Sequence, residues 1–327
     1  MNKIKIGIVG YGNLGRGAEL AVLRAPDMEL QGIFTRRDPE NVKTASGKAR
    51  AYQDLKSCQD EIDVLVLCGG SKTDIPSQGP ELIQNYSTVD AFDTHQKIPE
   101  YFAKMDALAK ETQHVAVLST GWDPGLFSLQ RVLMDAVLTQ GETHTFWGPG
   151  LSQGHSEAVR RLPGVKRAVQ YTVPNQALME RIRAGEEVEV TSQTAHKREV
   201  YLVLEDGADP EEIKEQIVSM PDYFAGYETH VHVIDEATFE RDHQAMFHGG
   251  TVMRTGHTSE KQEELTRMEF HLELASNPEF TGAVNVAYAR AAYRLAQAED
   301  YGAKTVLDIP PRLISPRTKE ELLAGFV

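Results

Sequence analysis

Ile4-Lys5-Ile6-Gly7-Ile8-Val9-Gly10-Tyr11-Gly12-Asn13-Leu14-Gly15 is the stretch that decides the fold. An apolar run enters a G-x-G-x-x-G turn. Ala18 to Leu23 then follow with helical spacing, and a second apolar run covers Met28 to Phe34. Strand, turn, helix and strand in that order form the context in which the motif binds a dinucleotide rather than serving as a flexible turn. Gly10 permits the tight turn, Gly12 lets the backbone approach a pyrophosphate, and Gly15 lets helix and strand pack closely. The helix N-terminus offers N–H groups and a positive dipole end to the phosphates.

The end of the second strand selects between the two nicotinamide cofactors. An NAD site carries Asp or Glu about twenty residues past the motif, to hold the ribose 2′-hydroxyl, whereas arginine suits a 2′-phosphate. Here Thr35, Arg36 and Arg37 stand at those positions, and Asp38 comes one step too late. A hydroxyl and two guanidiniums make a phosphate clamp, because arginine donates to phosphate bidentately. NADP is therefore the expected cofactor. The alternative is two surface arginines that follow a strand by chance.

Composition sets outer limits. A chain of 327 residues has room for two domains with large cores. A net charge of −14 argues against nucleic acid and anionic membrane as partners, so Arg36 and Arg37 must attract an anion against the overall field. No apolar stretch reaches the roughly 18 residues of a membrane span, and the first strand begins at once, so neither membrane anchor nor signal peptide is expected. Two cysteines, Cys58 and Cys68, give no disulfide framework, which fits a reducing cytoplasm. There is no tandem repeat and no low-complexity tract.

Farther along, Glu61 to Cys68 reads as a buried parallel strand by its apolar run, and it ends in the small residues Gly69, Gly70 and Ser71. Helix over Thr73–Gln84, strand over Thr88–Asp93, helix over Pro99–Lys110 and strand over Val115–Leu118 continue the alternation. That pattern means a doubly wound parallel sheet, hence an α/β Rossmann domain over residues 1–120. Leu126 to Val137 reads as helix. Beyond it, strands are expected at Thr143–Trp147, Val165–Val173, His196–Leu204, Tyr227–Ile234, Thr251–Thr255 and Arg267–Leu274. Helices are expected at Asn175–Ala184 and Pro210–Ser219. Residues 121–299 are thus expected to form an α+β domain with a mostly antiparallel sheet. Asn277-Pro278 opens an amphipathic helix through Ala296, and the segment from about 300 to 327 is expected to return to the first domain.

Chemistry is expected at the strand ends, where open α/β sheets bind ligands. Asp93 and Asp123 lie just past two such ends. Two carboxylates there suit a cationic amino group and can take a proton from it. Each can equally cap a following helix or turn, and spacing alone does not choose. Cys68 can be read as a nucleophile, although no histidine is placed beside it, which favours a core-end cysteine. His230 and His232 share one strand face with no third ligand at a matching spacing, so no metal is expected. None of the eleven histidines falls in an H-E-x-x-H motif.

Four runs carry a family resemblance: Gly10 to Arg16, Ser119 to Gly125, Thr145-Phe146-Trp147-Gly148-Pro149-Gly150-Leu151-Ser152-Gln153-Gly154-His155-Ser156, and Met220 to Phe224. Together they resemble the meso-diaminopimelate D-dehydrogenases over essentially the whole chain. The resemblance implies NADP-dependent oxidative deamination of the D-centre of meso-2,6-diaminopimelate, a homodimer, and no metal. It implies cofactor contacts at Tyr11, Gly12, Asn13 and Leu14, at Thr35 to Arg37, and at Cys68, Gly69, Gly70 and Ser71. Ala91, Phe92 and Asp93, and Thr120, Gly121, Trp122, Asp123 and Pro124, complete that set. Asp93 and Asp123 are implied to act beside the reacting centre, with Trp122, Phe146 and Trp147 as aromatic walls. Gln153, Gly154, Thr172, Arg198, His248 and Asn277 are implied to read the substrate, several at its distal L-centre. Glu157 departs from the pattern, which has the shorter Asp there. Another Rossmann oxidoreductase, acting on a D-amino acid, sugar or semialdehyde, and a non-catalytic NADP-sensing module are the competing readings.

Overall fold

The computed structural model describes residues 3–259 and 264–327. Two compact units emerge, one running up to Leu129 and resuming at Pro278–Val327, the other spanning Gln130–Asn277.

The first unit is built on a seven-stranded sheet. Its strands are β1 (Ile4–Val9), β2 (Met28–Thr35), β3 (Ala49–Ala51), β4 (Val64–Leu67), β5 (Ser87–Asp90), β6 (Val115–Val117) and the late strand Gly302–Lys304. In space the order is Gly302–Lys304, β6, β5, β4, β1, β2, β3, and every pairing is parallel. The winding therefore reverses between β1 and β4, the switch point where such sheets open a ligand crevice at the strands' carboxyl ends. Both faces are covered, which is why β4 reads as an unbroken apolar run. Val64 and Val66 pack with Ile6, Ile8 and Val22, whereas Leu65 and Leu67 pack with Val9, Phe34, Ile75 and Met105. Helices α1 (Asn13–Arg24), α2 (Ile75–Leu82) and α3 (Ile98–Glu111) supply the cover.

The units divide at 129/130 and 277/278 rather than at 120/121 and 299/300. The long helix Asn277–Gln297 lies with the first unit because it crosses α1 backbone to backbone. A Cβ on Gly17 would fall 2.4 Å from Pro278 O, and one on Gly282 would fall 2.4 Å from Ala18 N. The buried Arg290 adds a bidentate grip on Asp27 at 2.6 and 2.7 Å. Leu126–Val137 is the expected helix, α4.

In the second unit the one antiparallel sheet expected from the sequence is two sheets. β7 (Gly141–Trp147), β12 (His248–His257) and β13 (Leu265–Leu274) form one, in the order β13-β12-β7. The other, in the order β11-β10-β9-β8, comprises β8 (Gly150–Leu151), β9 (Val165–Pro174), β10 (His196–Leu204) and β11 (Thr229–Val233). The split falls at Gly148-Pro149. Gly148 takes φ +96° and Pro149 has no N–H to give a ladder, so the chain leaves the first sheet after Trp147 and enters the second as β8. Only β10 with β11 is parallel. Helix α5 (Gln153–Arg160) packs on β9. Helices Gln176–Arg183 and Pro210–Val218 begin at capping side chains, Asn175 accepting from Leu178 N and Asp209 from Glu211 N.

Candidate active site

In the first unit a cleft of about 350 Å³ opens among the glycine turn, the end of β2 and the Cys68–Gly70 loop. Gly10 sits at φ +90°, and a Cβ on Gly15 would lie 2.3 Å from Gly10 O, so turn and helix start are as tight as the motif demands. No side chain caps the start of α1, where Gly12 is the N-cap, and no acid stands in its first turn. Its positive end faces the cleft without a built-in counter-charge, which suits a pyrophosphate. Asn13 and Leu14 begin this helix. Tyr11 is fixed from beneath by the buried Glu19, to which its hydroxyl donates at 2.5 Å. Burial alone would raise Glu19, but bonds from Ser46, Tyr11 and Ala45 outweigh it and hold the carboxyl below its usual range.

Thr35, Arg36 and Arg37 line the same cleft. Arg37 Nη2 donates to Tyr11 O and its backbone N to the buried Thr35 Oγ1 at 3.1 Å. Arg36 pairs with Asp74 at 2.8 Å, and its side chain is 66% exposed. Asp74 is a residue the sequence reading passed over. It accepts Gly70 N–H at 2.8 Å, and that bond, with Arg36, keeps its carboxyl below the ordinary range. Its position at the mouth of α2 gave the only hint, since Asp often caps. The cleft thus carries donors for phosphate oxygens at its mouth and a close backbone approach at its floor, and a 2′-phosphorylated dinucleotide fits it.

Cys68 is buried at the end of its strand, and burial pushes its thiol up to about 12. A thiol so held is no nucleophile, so its place here is packing. Gly69 and Gly70 continue to Ser71, whose Oγ accepts Asp93 N–H at 2.9 Å, joining two of the sequence-predicted segments. β5 ends at Asp90, not Asp93, so Ala91 to Asp93 form a loop with Phe92 buried and Asp93 exposed. Asp90 itself causes the stop. It is 0% exposed and its Oδ1 accepts Phe92 N–H, turning the chain out of the ladder. Burial pushes its carboxyl up to about 6 against the lowering effect of Phe92 N–H, Ser119 N–H and Tyr101 OH. The Gly121–Gly125 segment closes on itself through Gly121 N–H to Pro124 O at 2.9 Å. Trp122 is buried edge-on against Phe127 at 5.3 Å, Asp123 is half-buried, Pro124 is buried, and Thr120 is buried against Asp90.

In the second unit one row across the sheet assembles the others. Gly150 pairs with Thr172, and Thr172 with Arg198. Beside Gly150 stands His248 of the other sheet, whose ring lies 2.4 Å from where a Cβ on Gly150 would be. Arg198 is 8% exposed. Its Nη1 donates to Thr172 Oγ1 at 2.6 Å, its guanidinium lies 4.2 Å from the Tyr227 ring centre, and its buried Nε has no partner. It makes no ion pair among the described residues. Two imidazoles lie within its field, and both are driven down to about 4, by burial first in each case and by the Arg198 charge as well. They are His155, held by Ser152 Oγ at 2.8 Å, and His196, which accepts Trp147 N–H at Nε2 at 2.9 Å. Among the described residues Arg198 is thus a buried cation without an ion pair, surroundings that favour an anion.

Trp147 is half-exposed and stacks on His196 at 5.3 Å. Phe146, expected as a second aromatic wall, is fully buried among Leu178, Met179, Ile182 and Met253 and packs behind that stack. Adjacent strand residues face opposite sides, which the run of aromatics concealed. Gln153 and Gly154 are exposed in the first turn of α5, and Asn277 N–H donates to Met246 O at 2.9 Å. Glu157 is taken up by its own helix, accepting from Arg160 at 2.9 Å and Arg161 at 3.1 Å. His230 and His232 both turn to Glu199, at 2.8 and 2.7 Å. Among the described residues no group of three or more His, Cys, Asp or Glu is set to hold a metal, and no helix is long and apolar enough to cross a membrane.

A doubly wound parallel sheet that opens on a tight glycine turn is the scaffold of the nicotinamide-dependent oxidoreductases, and comparison with known proteins narrows that class. Residues 121–276 match the family model described as the diaminopimelic acid dehydrogenase C-terminal domain. The meso-diaminopimelate D-dehydrogenase of Ureibacillus thermosphaericus is 53% identical over 323 residues, 98% of each chain. Among solved structures, C. glutamicum DAP dehydrogenase in complex with DAP superposes with a TM-score of 0.90 at 47% identity, covering 100% of both chains. An engineered D-amino acid dehydrogenase bound to NADP+ superposes with 0.84 at 45% identity, again over 100% of both. The chain belongs to the meso-diaminopimelate D-dehydrogenase family.

Proposed function

We propose that this chain catalyses the reversible, NADP-dependent oxidative deamination of meso-2,6-diaminopimelate at its D-centre. The products are L-2-amino-6-oxopimelate and ammonia, and the reverse reaction serves lysine and diaminopimelate synthesis. The enzyme acts as a homodimer in the cytoplasm. The observation that carries the reading is Arg198, a buried guanidinium with no ion pair among the described residues, in a chain whose relatives are named for acting on a dicarboxylate.

Each group has a role its chemistry suits. NADP+, held by Gly10 to Gly15, Thr35 to Arg37, Cys68 to Ser71 and the Ala91–Asp93 and Thr120–Pro124 loops, supplies the hydride acceptor when bound. Asp123 and Asp93 hold the ammonium of the D-centre and take its proton, directly or through water, so that the amine lone pair is free when the C–H bond breaks. The same carboxylates then take the proton that water loses as it adds to the imine carbon and return one to the nitrogen, which departs as ammonia. Arg198, with Thr172 and His248, binds the distal carboxylate. Gln153, Gly154 and Asn277 complete the reading of that end, and Trp122 and Trp147 wall the substrate, with Phe146 behind. A site whose buried donors match one configuration leaves them unpaired with another, which is the source of stereochemical choice.

The test is NADPH formation by the purified full chain. Formation with meso-diaminopimelate, and none with the LL isomer, supports the reading. Equal activity on both isomers, or on neither, refutes it.

A further inference from the structure

Asp93 and Asp123 stand on two separate loops, each leaving the carboxyl end of its own strand. Chemistry that uses both requires the loops to keep one spacing, and a single buried residue ties them. Asp90 ends β5 and is 0% exposed. Its Oδ1 accepts Phe92 N–H at 2.9 Å, one residue before Asp93, and Ser119 N–H at 3.3 Å on the other loop. Its carbonyl accepts Thr120 N–H at 2.9 Å and lies 3.0 Å from Thr120 Oγ1. Its Oδ2 accepts the Tyr101 hydroxyl at 3.0 Å, and the Tyr101 ring packs on Phe92 with centres 4.6 Å apart. Thr120 is anchored in turn to Asn285 of the long helix at 2.6 Å.

Stability does not explain this choice of residue. The carboxylate makes no ion pair among the described residues, and a buried charge without a cation is costly, so what Asp90 supplies is hydrogen-bond acceptance rather than charge. What the carboxylate adds is an acceptor for two backbone N–H groups, one on each loop, that no strand partner serves.

We propose that Asp90 is a positioning residue for the deamination, fixing Phe92 and Ser119–Thr120 so that Asp93 and Asp123 keep their mutual placement. The assignment rests on the amino-acid dehydrogenase reading above. It specifies acceptor geometry rather than charge. In Asp90→Asn the amide oxygen still serves both N–H groups, and the NH2 donates to the Tyr101 oxygen, which reverses its role. In Asp90→Ala the side-chain bonds to Phe92 N–H and Ser119 N–H are lost, while the backbone carbonyl still accepts Thr120 N–H.

The experiment compares the full-length wild type, Asp90→Ala and Asp90→Asn by circular dichroism, by NADP+ affinity and by kcat at saturating meso-diaminopimelate. Asp90→Ala is expected to stay folded and lose kcat about thirtyfold or more while NADP+ affinity falls by much less, because the glycine turn and Arg36–Arg37 keep most of the cofactor's contacts, and Asp90→Asn is expected to keep kcat within about threefold. Should Asp90→Ala yield no soluble protein, Asp90→Glu carries the same expectation, since its carboxylate reaches one methylene too far. Wild-type kcat in the folded Ala or Glu variant overturns the assignment. So does an Asn variant as impaired as Ala, or NADP+ affinity that falls in step with kcat. A wild type that forms no NADPH from meso-diaminopimelate overturns the dehydrogenase reading and the assignment with it, whereas an active wild type beside an unimpaired Asp90→Ala overturns the assignment alone.

Discussion

Arg36 and Arg198 are both arginines proposed to bind an anion, and their surroundings are opposite. Arg36 is 66% exposed and already paired with Asp74. Arg198 is 8% exposed, and it meets a threonine hydroxyl, an aromatic face and two imidazoles held neutral. An exposed pair is screened by water and gains little from exchanging one anion for another. A buried cation has already lost its hydration at folding, so a carboxylate that reaches it gains more than one that joins an exposed pair. On the proposed roles, the exposed clamp suits exchange of its anion, and the buried Arg198 suits strict recognition of one group.

That contrast can be broken at several points. The largest effect is expected from Arg198→Gln, which should lower kcat/KM for meso-diaminopimelate about 1,000-fold, roughly 4 kcal/mol, with NADP+ affinity unchanged; a loss under tenfold would mean that the buried cation is not the recognition element. Asp90 extends the comparison to a buried anion. Its carboxyl titrates near 6 in the fold and near the ordinary aspartate value of 3.8 in the unfolded chain. Between those values the folded state holds the extra proton. Its contribution is thus most favourable below pH 4 and declines by about 3 kcal/mol as pH rises through 6. The stability difference between wild type and Asp90→Asn, read from urea midpoints, should widen over that window in favour of Asn; a pH-independent difference would contradict the buried charge.

Smaller changes are expected at the exposed clamp. Arg36→Ala should weaken NADP+ about tenfold and leave NAD+ untouched, as read by KM for each. Rising salt should raise KM for NADP+ more than KM for meso-diaminopimelate, because only the exposed charges are screened. If salt acts equally on both, the two regions are not the contrast described. The smallest signal lies in the His155 and His196 ring resonances, which should stay in the neutral form down to about pH 5.

The sequence carried the first unit almost whole, because its signals are local. The glycine turn needs specific backbone space, and β4 is a continuous apolar run because helices cover both its faces. The second unit was legible strand by strand but not sheet by sheet, since the break at Gly148-Pro149 sits inside what reads as one aromatic run. The long helix was visible from Asn277-Pro278, yet its allegiance depends on Gly17 meeting Gly282, a contact with no sequence signature. At the site, Arg36, Arg37 and Arg198 were named from motif and resemblance. Asp74, Glu19 and Asp90 were missed because each acts by accepting backbone N–H groups from another segment, which only the folded chain brings near. Asp90 leaves one trace, a charged residue at the end of a wholly buried strand, and the expected strand Thr88–Asp93 hides it by running three residues past the end of β5.

The central claim is hydride transfer from the D-centre to an NADP held on the glycine turn while the distal end is read at Arg198. The most direct measurement uses meso-diaminopimelate deuterated at the D α-carbon alone, with mass spectrometry of the reduced cofactor. The account predicts that deuterium appears in NADPH, one label per ammonia released, and that substrate deuterated only at the L-centre gives unlabelled NADPH. Label arriving from the L-centre, or ammonia released without labelled NADPH, would contradict it.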